Sequence, residues 1–344
     1  MLFNKTNLTG MAAAMAIAIA GGTAQAQETT LTISTWAPPT HGINSVMFPE
    51  LIRLIEEATE GRVTAEMKYN LAPPPAQADI VSDGIADITW IAHGYTPGRF
   101  PSASMAELPG FGGSSEALAV AYWRTFEQFF AEANEHRDLR VLAVHTHGDG
   151  MLHSSTRIEN LDQVAGMKFR VGGGVAGHVG EALGLSAINV PAPRVYETLA
   201  SNAADGAMMP MEAKVGFRLT EVAPHSYDMP SGFYRTSMAT VMNQDAFDAL
   251  RPEDQAALNE LFGEELSRIT GAMWDQFDEE GLTASEAAGT NTMTIASEAD
   301  QLAWAETANS IVDEIVDGIS ATGIDGDAAY AFFRSEFDRL NTEQ

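Results

Sequence analysis

The chain has 344 residues, a formal net charge of −28 and no cysteine. A surface this acidic repels nucleic acid and anionic lipid, and the lack of cysteine excludes disulfides, thiolate catalysis and a lipid-anchoring cysteine. Any site for an anion must therefore be built locally from a few well-placed cations.

The first segment reads as an export signal. Lys5 gives a weakly positive start, residues 11–20 (MAAAMAIAIA) are apolar, and Ala24-Gln25-Ala26 is an A-x-A cleavage pattern. This predicts cleavage after Ala26 and a periplasmic mature chain beginning at Gln27. The apolar run is too short for a permanent anchor, and no later segment approaches ~20 consecutive apolar residues. The mature chain would have ~318 residues, enough for two lobes of roughly 100–200 residues each.

Residues 31–36 (LTISTW) alternate and predict a first strand, ended by Pro38 and Pro39. Val46, Phe48, Leu51, Leu54, Ile55 and Ala58 recur at helical spacing and predict a helix over 44–60, with Gly61 as its stop. Next come a strand over 63–69, a proline-rich loop over 71–75, a short helix and a strand over 87–91. The pattern then predicts a helix over 115–135, strands over 139–145 and 167–171, and a helix over 176–183. Such alternation indicates an α/β sheet. Residues 234–242 read as a strand returning the chain to a first lobe. After it come a long helical region over 252–288, a short strand over 292–296, and helices over 300–319 and 328–340. The stretch 79–87 (DIVSDGIAD) is echoed by 197–205 (ETLASNAAD), which suggests two lobes of similar βαβ units with a cleft between them.

Several enzyme signatures are missing. There is no G-x-S-x-G elbow, no H-E-x-x-H, and no lysine after a glycine to make a P-loop. Three patterns stay open. Gly172-Gly173-Gly174-Val175-Ala176-Gly177 fits a dinucleotide fingerprint, with Glu197 about 20 residues on, as in an exported dinucleotide-dependent enzyme. His145 and His147 would share one face of a strand, as the metal ligands of a metal-dependent enzyme can, with His153 nearby. The plainer reading of these histidines is one that lines a site or a hydrogen bond and two at the surface. Arg170 ends an apparent strand just before the glycines. Its five-donor fork suits a carboxylate or phosphate, helped by the turn's backbone N–H groups, or else a structural Asp or Glu. His41 and His93 come after the first and third strands, where ligand sites of open sheets occur. Trp36, Trp90 and Tyr95 fall at strand ends or the next loop, as cleft lining or as packing. Trp123, Trp274 and Trp304 lie on helices and read as core. Met208, Met209 and Met211 flank Pro210 on a loop that would face the cleft.

Three stretches carry a family resemblance: 57–63 (EATEGRV) with 83–88 (DGIADI), 160–171 (NLDQVAGMKFRV) and 195–207 (VYETLASNAADGA). Over essentially the whole mature sequence the chain resembles the TRAP-transporter solute-binding proteins of the DctP type. The resemblance implies two α/β lobes joined by hinge strands and a long interlobe helix, the periplasmic binding protein fold. The lobes are expected at 27–148 with 238–285 and at 149–237 with 286–344. It further implies a monomer that performs no chemistry, holds no cofactor and hands its solute to small and large membrane subunits. In the family's G-x-K-hydrophobic-R-V run the arginine clamps the ligand carboxylate, so Arg170 is the implied clamp. Two departures shape the ligand expected. Gly150 stands where many members have a second arginine, and Met209 where members have a polar Asn. Both favour an organic monocarboxylate with an apolar body, first an aromatic acid such as benzoate or hydroxybenzoate, second a short aliphatic or 2-oxo acid. The expected site comprises Arg170, Trp36, His41, Trp90, His93, Tyr95, His147, Gly172, Gly173 and Met209.

Overall fold

The computed structural model describes residues 29–343; the expected export signal and its cleavage site lie outside them. In chain order the strands are β1 (Thr29–Thr35), β2 (Val63–Tyr69), β3 (Ile88–Ala92), β4 (Leu139–Thr146), β5 (Met151–Ser154), β6 (Lys168–Val171), β7 (Ser186–Asn189), β8 (Gly206–Met209), β9 (His225–Asp228), β10 (Ser237–Asn243) and β11 (Thr292–Ile295). They form two sheets. The five-stranded one has the order β2-β1-β3-β10-β4, and the six-stranded one β11-β9-β5-β8-β6-β7.

β1 pairs in parallel with β2 and β3, the arrangement that strand–helix alternation imposes. β10 inserts antiparallel between β3 and β4, as expected of a strand that returns the chain to the first sheet. Between β1 and β2 the helix Phe48–Ala58 buries Phe48, Leu51 and Ile55 and carries Pro49 in its first turn, where the fixed proline φ suits a helix. The helix predicted over 115–135 is α-helical only over Ser115–Thr125. It continues as a π turn, Phe126–Phe130, and a 3₁₀ turn, Ala131–Ala133, before Asn134 takes a left-handed conformation. The long helical region divides at Gly263 into Pro252–Leu261 and Glu264–Ala287. Gly263 has φ +97°, and a Cβ there would stand 2.8 Å from the Trp123 ring, so the break needs glycine.

The chain crosses between sheets in three places that matter for the site. Residues 147–150 lead from β4 to β5, residues 229–236 lead back from β9 to β10, and the helix Glu264–Ala287 leads towards β11. The first two crossings are tied together. Gly150 N–H donates to the Tyr234 carbonyl at 3.0 Å, and Arg235 donates to the His147 carbonyl at 3.1 Å and pairs with Asp149 at 2.8 Å. The helix, of 24 residues, is about 36 Å long and packs bare glycine surfaces on both halves. Gly271 abuts Ser115 and Glu116, and Gly281 abuts the Met211 carbonyl. The C-terminal helix Gly326–Thr342 lies elsewhere than sequence suggests. Although it falls in the stretch assigned to the second lobe, Phe333 and Phe337 pack with Phe111 beside the first sheet, and Arg124 bridges Glu264 and Glu336. Among the described residues no helix is long and apolar enough to cross a membrane.

Candidate ligand-binding site

β6 runs between β7 and β8 in the six-stranded sheet, so its side chains alternate between two covered faces. Phe169 and Val171 enter the second lobe's core, and Arg170 turns to the other face with 2% of its surface exposed. Its Nε donates to the Val190 carbonyl at 2.9 Å. Nη1 lies 3.4 Å from the Met208 carbonyl and 2.6 Å from Met209 Sδ, and Nη2 is 3.4 Å from Tyr95 Oη. None of these partners is charged. A buried guanidinium without a counter-ion is costly, and the reading of Arg170 as half of a structural ion pair does not fit its surroundings.

Arg170 borders a cavity between the sheets and at the crossings. One wall is aromatic. Trp36 and Trp90 stack with centroids 3.9 Å apart and planes 12° apart, and Tyr95 meets Trp36 edge-on at 5.8 Å. Trp36 Nε1 donates to the Trp90 carbonyl and Trp90 Nε1 to Thr35 Oγ1, each at 3.3 Å, which fixes both indoles. The remaining wall includes Met209, Phe217, Met238 and Trp274, with Tyr234 and Thr236 from the returning crossing.

Of the expected site residues, Trp36, His41, Trp90, Tyr95, His147, Arg170, Gly172 and Met209 all line this cavity. His93 does not. Trp90 and Ala92 of β3 face the cavity, so the alternation sends Ile91 and His93 the other way. There His93 is buried against His136 and Ser237 at 2.9 and 3.1 Å. Gly173 also lies outside the cavity. It has φ +83°, and a Cβ on it would stand 2.5 Å from the Gly94 carbonyl, so it serves a close approach of two backbones. Trp274, read from sequence as core, lines the cavity, as do Tyr234, Phe217 and Glu212. Trp274 belongs to the interlobe helix, and Tyr234 opens the predicted return strand; position in the chain did not reveal which way either ring points.

His145, His147 and His153 are all buried, correcting the expectation that two of them lie at the surface. His145 Nδ1 accepts from Trp274 Nε1–H at 2.9 Å, and His153 sits between Ser226 Oγ and the Pro210 carbonyl. His147 Nδ1–H donates to the Gly148 carbonyl at 2.6 Å while Nε2 accepts from Thr236 N–H at 3.1 Å, which fixes its tautomer. Burial, reinforced by the Arg235 and Arg170 guanidiniums, pushes the His147 pKa down to about 3. Among the described residues no group of three His, Cys, Asp or Glu is arranged to hold a metal. The glycine turn is likewise occupied. Glu107 Oε2 accepts from Val175 N–H, the first of the helix Val175–Ala182, at 2.9 Å, and would stand 2.2 Å from a Cβ on Gly174. The space a pyrophosphate would need is filled by this carboxylate.

Two α/β halves joined by paired crossings and a long helix, with a cavity between them holding a guanidinium that has no ion-pair partner among the described residues, define a two-lobe solute-binding protein. The chain belongs to the bacterial extracellular solute-binding proteins, family 7 (DctP), whose model matches residues 34–318. It is 35% identical to a TRAP periplasmic solute-binding protein of Bordetella bronchiseptica solved with bound (R)- and (S)-mandelate. That match covers 91% of this chain and 99% of the other, with a TM-score of 0.87. A marine-metagenome TRAP solute-binding protein specific for aromatic acid ligands, solved with 3-hydroxybenzoate, is 25% identical over 92% of this chain and 99% of its own, with a TM-score of 0.86. A Comamonas testosteroni protein described as outer membrane transporter protein TsaT is 26% identical over 91% of this chain and 93% of its own. The family is one of solute receptors, not of enzymes.

Proposed function

We propose that this chain is the exported, periplasmic receptor of a TRAP transporter that captures an aromatic monocarboxylate and delivers it, as a monomer, to small and large membrane subunits. The observation that carries this reading is Arg170, buried at a cavity of indole and phenyl walls with no carboxylate partner among the described residues. The ligand carboxylate takes Nη1 and Nη2. Tyr95 Oη already accepts from Ala192 N–H at 2.9 Å, which leaves its own O–H to donate to the same carboxylate. The ring lies along the Trp36–Trp90 stack, opposite Met209 and Trp274. Each Å² of apolar surface removed from water contributes about 25 cal/mol, and expulsion of water strengthens the ion pair. In this scheme β1–β4 and β10 belong to the first lobe and β5–β9 and β11 to the second. The C-terminal helix joins the first lobe, and cleavage comes after Ala26. Aromatic acids as ligands of two relatives support the choice of class.

A thermal-shift screen over a carboxylate library, followed by calorimetry, tests the reading. Aromatic acids should raise the melting temperature by mass action. Arg170→Ala should weaken binding by roughly 2–5 kcal/mol, and Arg170→Lys should also weaken it because a point charge cannot reproduce the fork. Unaltered affinity in both variants would remove Arg170 as the clamp, and a flat response to every aromatic acid would remove the ligand class.

A further inference from the structure

The cavity has a second polar pole. Glu212 is 4% exposed and lines the cavity with Phe217, Trp274 and His41. Its backbone N–H is held by Asp278 Oδ1 at 2.7 Å, so the residue is fixed in place. Its carboxylate is far less satisfied. The single polar side-chain contact to it among the described residues is His41, whose Nε2 lies 3.4 Å from Oε2. His41 Nδ1 accepts from Ile43 N–H at 3.2 Å, so the imidazole proton sits on Nε2 and points to Glu212. One long contact leaves a carboxylate that lines the cavity with most of its acceptor capacity unused.

We infer that Glu212, oriented by His41, is the specificity-determining acceptor for a hydroxyl carried on the aromatic body of the ligand, so that the solute is a hydroxylated aromatic monocarboxylate. This rests on the aromatic-acid reading of the cavity. Arg170 and Glu212 give it opposite charges at two places, so a carboxylate directed at Arg170 cannot be matched by another directed at Glu212. A dicarboxylate is thereby disfavoured, and a donor is wanted. A hydroxyl brings one O–H and needs one acceptor. An ammonium would bring three N–H groups, yet Phe217 offers no acceptor, the Trp274 indole only donates, and His41 Nδ1 is already engaged. The wall around Glu212 fits the hydroxyl.

The test is calorimetric titration of the mature protein with benzoate, 3- and 4-hydroxybenzoate, the matching methoxybenzoates and 4-(aminomethyl)benzoate. At least one hydroxybenzoate should bind about tenfold or more tighter than both benzoate and its own methyl ether, which keeps the oxygen but loses the donor. In Glu212→Leu that ratio should fall towards one. A hydroxyl preference absent from the wild-type protein, a preference undiminished in the variant, or tightest binding of the aminomethyl acid would each overturn the inference while leaving the aromatic-acid reading standing. If none of these acids binds, that reading fails and the inference with it. Because the wild-type series decides the donor question alone, a variant that does not fold leaves the test intact.

Discussion

A Cβ built on Gly150 would lie 2.1 Å from Cε1 of the Tyr234 ring. The two residues face each other across the paired crossings, where Gly150 N–H also donates to the Tyr234 carbonyl. The ring is buried and lines the cavity near Arg170, whose charge acts on the Tyr234 hydroxyl even though burial dominates and pushes its pKa upward. The missing side chain at 150 and the aromatic ring at 234 are therefore one feature. The space beside residue 150 is filled by the Tyr234 phenol.

Gly150→Ala should force Tyr234 out of place. Overpacking of a tight contact costs roughly 1–3 kcal/mol, so urea denaturation should show a loss of that order together with weaker binding of aromatic acids. A variant as stable and as tight as the parent would mean that the ring moves aside without cost.

Glu107 should act as a latch across the cleft. It accepts from Val175 N–H at 2.9 Å and from Ser237 N–H and Oγ–H at 3.0 and 2.8 Å. Because Ser237 Oγ donates to Glu107, it accepts from His93 Nδ1–H, and His93 Nε2 in turn accepts from His136. Glu107→Ala leaves several buried donors unpaired, each worth about 1–3 kcal/mol. Faster ligand release in stopped-flow is the expected outcome; unaltered release and stability would show that the latch carries no energy.

Stability should fall on acidification partly through His153. Burial, with Lys214 close by, pushes its pKa down from 6.5 to about 3. The unfolded chain therefore takes up a proton near pH 6.5 that the native protein refuses. The contribution is complete above pH 6.5 and is lost progressively as pH falls towards 3, by at most about 1.4 kcal/mol per pH unit. Asp228 works in the opposite sense. Burial raises its pKa to about 6, so its contribution is present at low pH and lost as pH rises through 6. Urea titrations between pH 6.5 and 4.5 should show a shallower loss in His153→Gln than in the parent. Parallel curves would mean that the imidazole titrates normally.

Much of the first half was legible because its elements are long and repeat with a clear period. β2 matches its predicted bounds at Val63–Tyr69, and β1, β3 and β4 fall within a residue or two of theirs. β5 (MLHS), β7 (SAIN) and β9 (HSYD) were not legible: a four-residue strand shows only where its composition is β-rich, as in β6 (KFRV) and β11 (TMTI), and these three carry Ser, His, Asn or Asp instead. For the cavity, residue type and position after a strand pointed to Trp36, Trp90, Tyr95 and Arg170. The same rule failed for His93, since one residue along a strand reverses the side chain.

The sequence by itself determined the chemistry available: an acidic, cysteine-free chain, one arginine at the end of a strand, aromatic residues at neighbouring strand ends, and a family pattern around Arg170. Tertiary structure decided which of these meet. Arg170 is left open to an anion because β6 buries it where, among the described residues, no Asp or Glu pairs with it. The glycine turn is a contact between lobes because Glu107 reaches it from elsewhere in the chain. Trp274, Tyr234 and Glu212 enter the site because a helix and a crossing bring them there. Those outcomes depend on distances between segments remote in sequence, which no local period encodes.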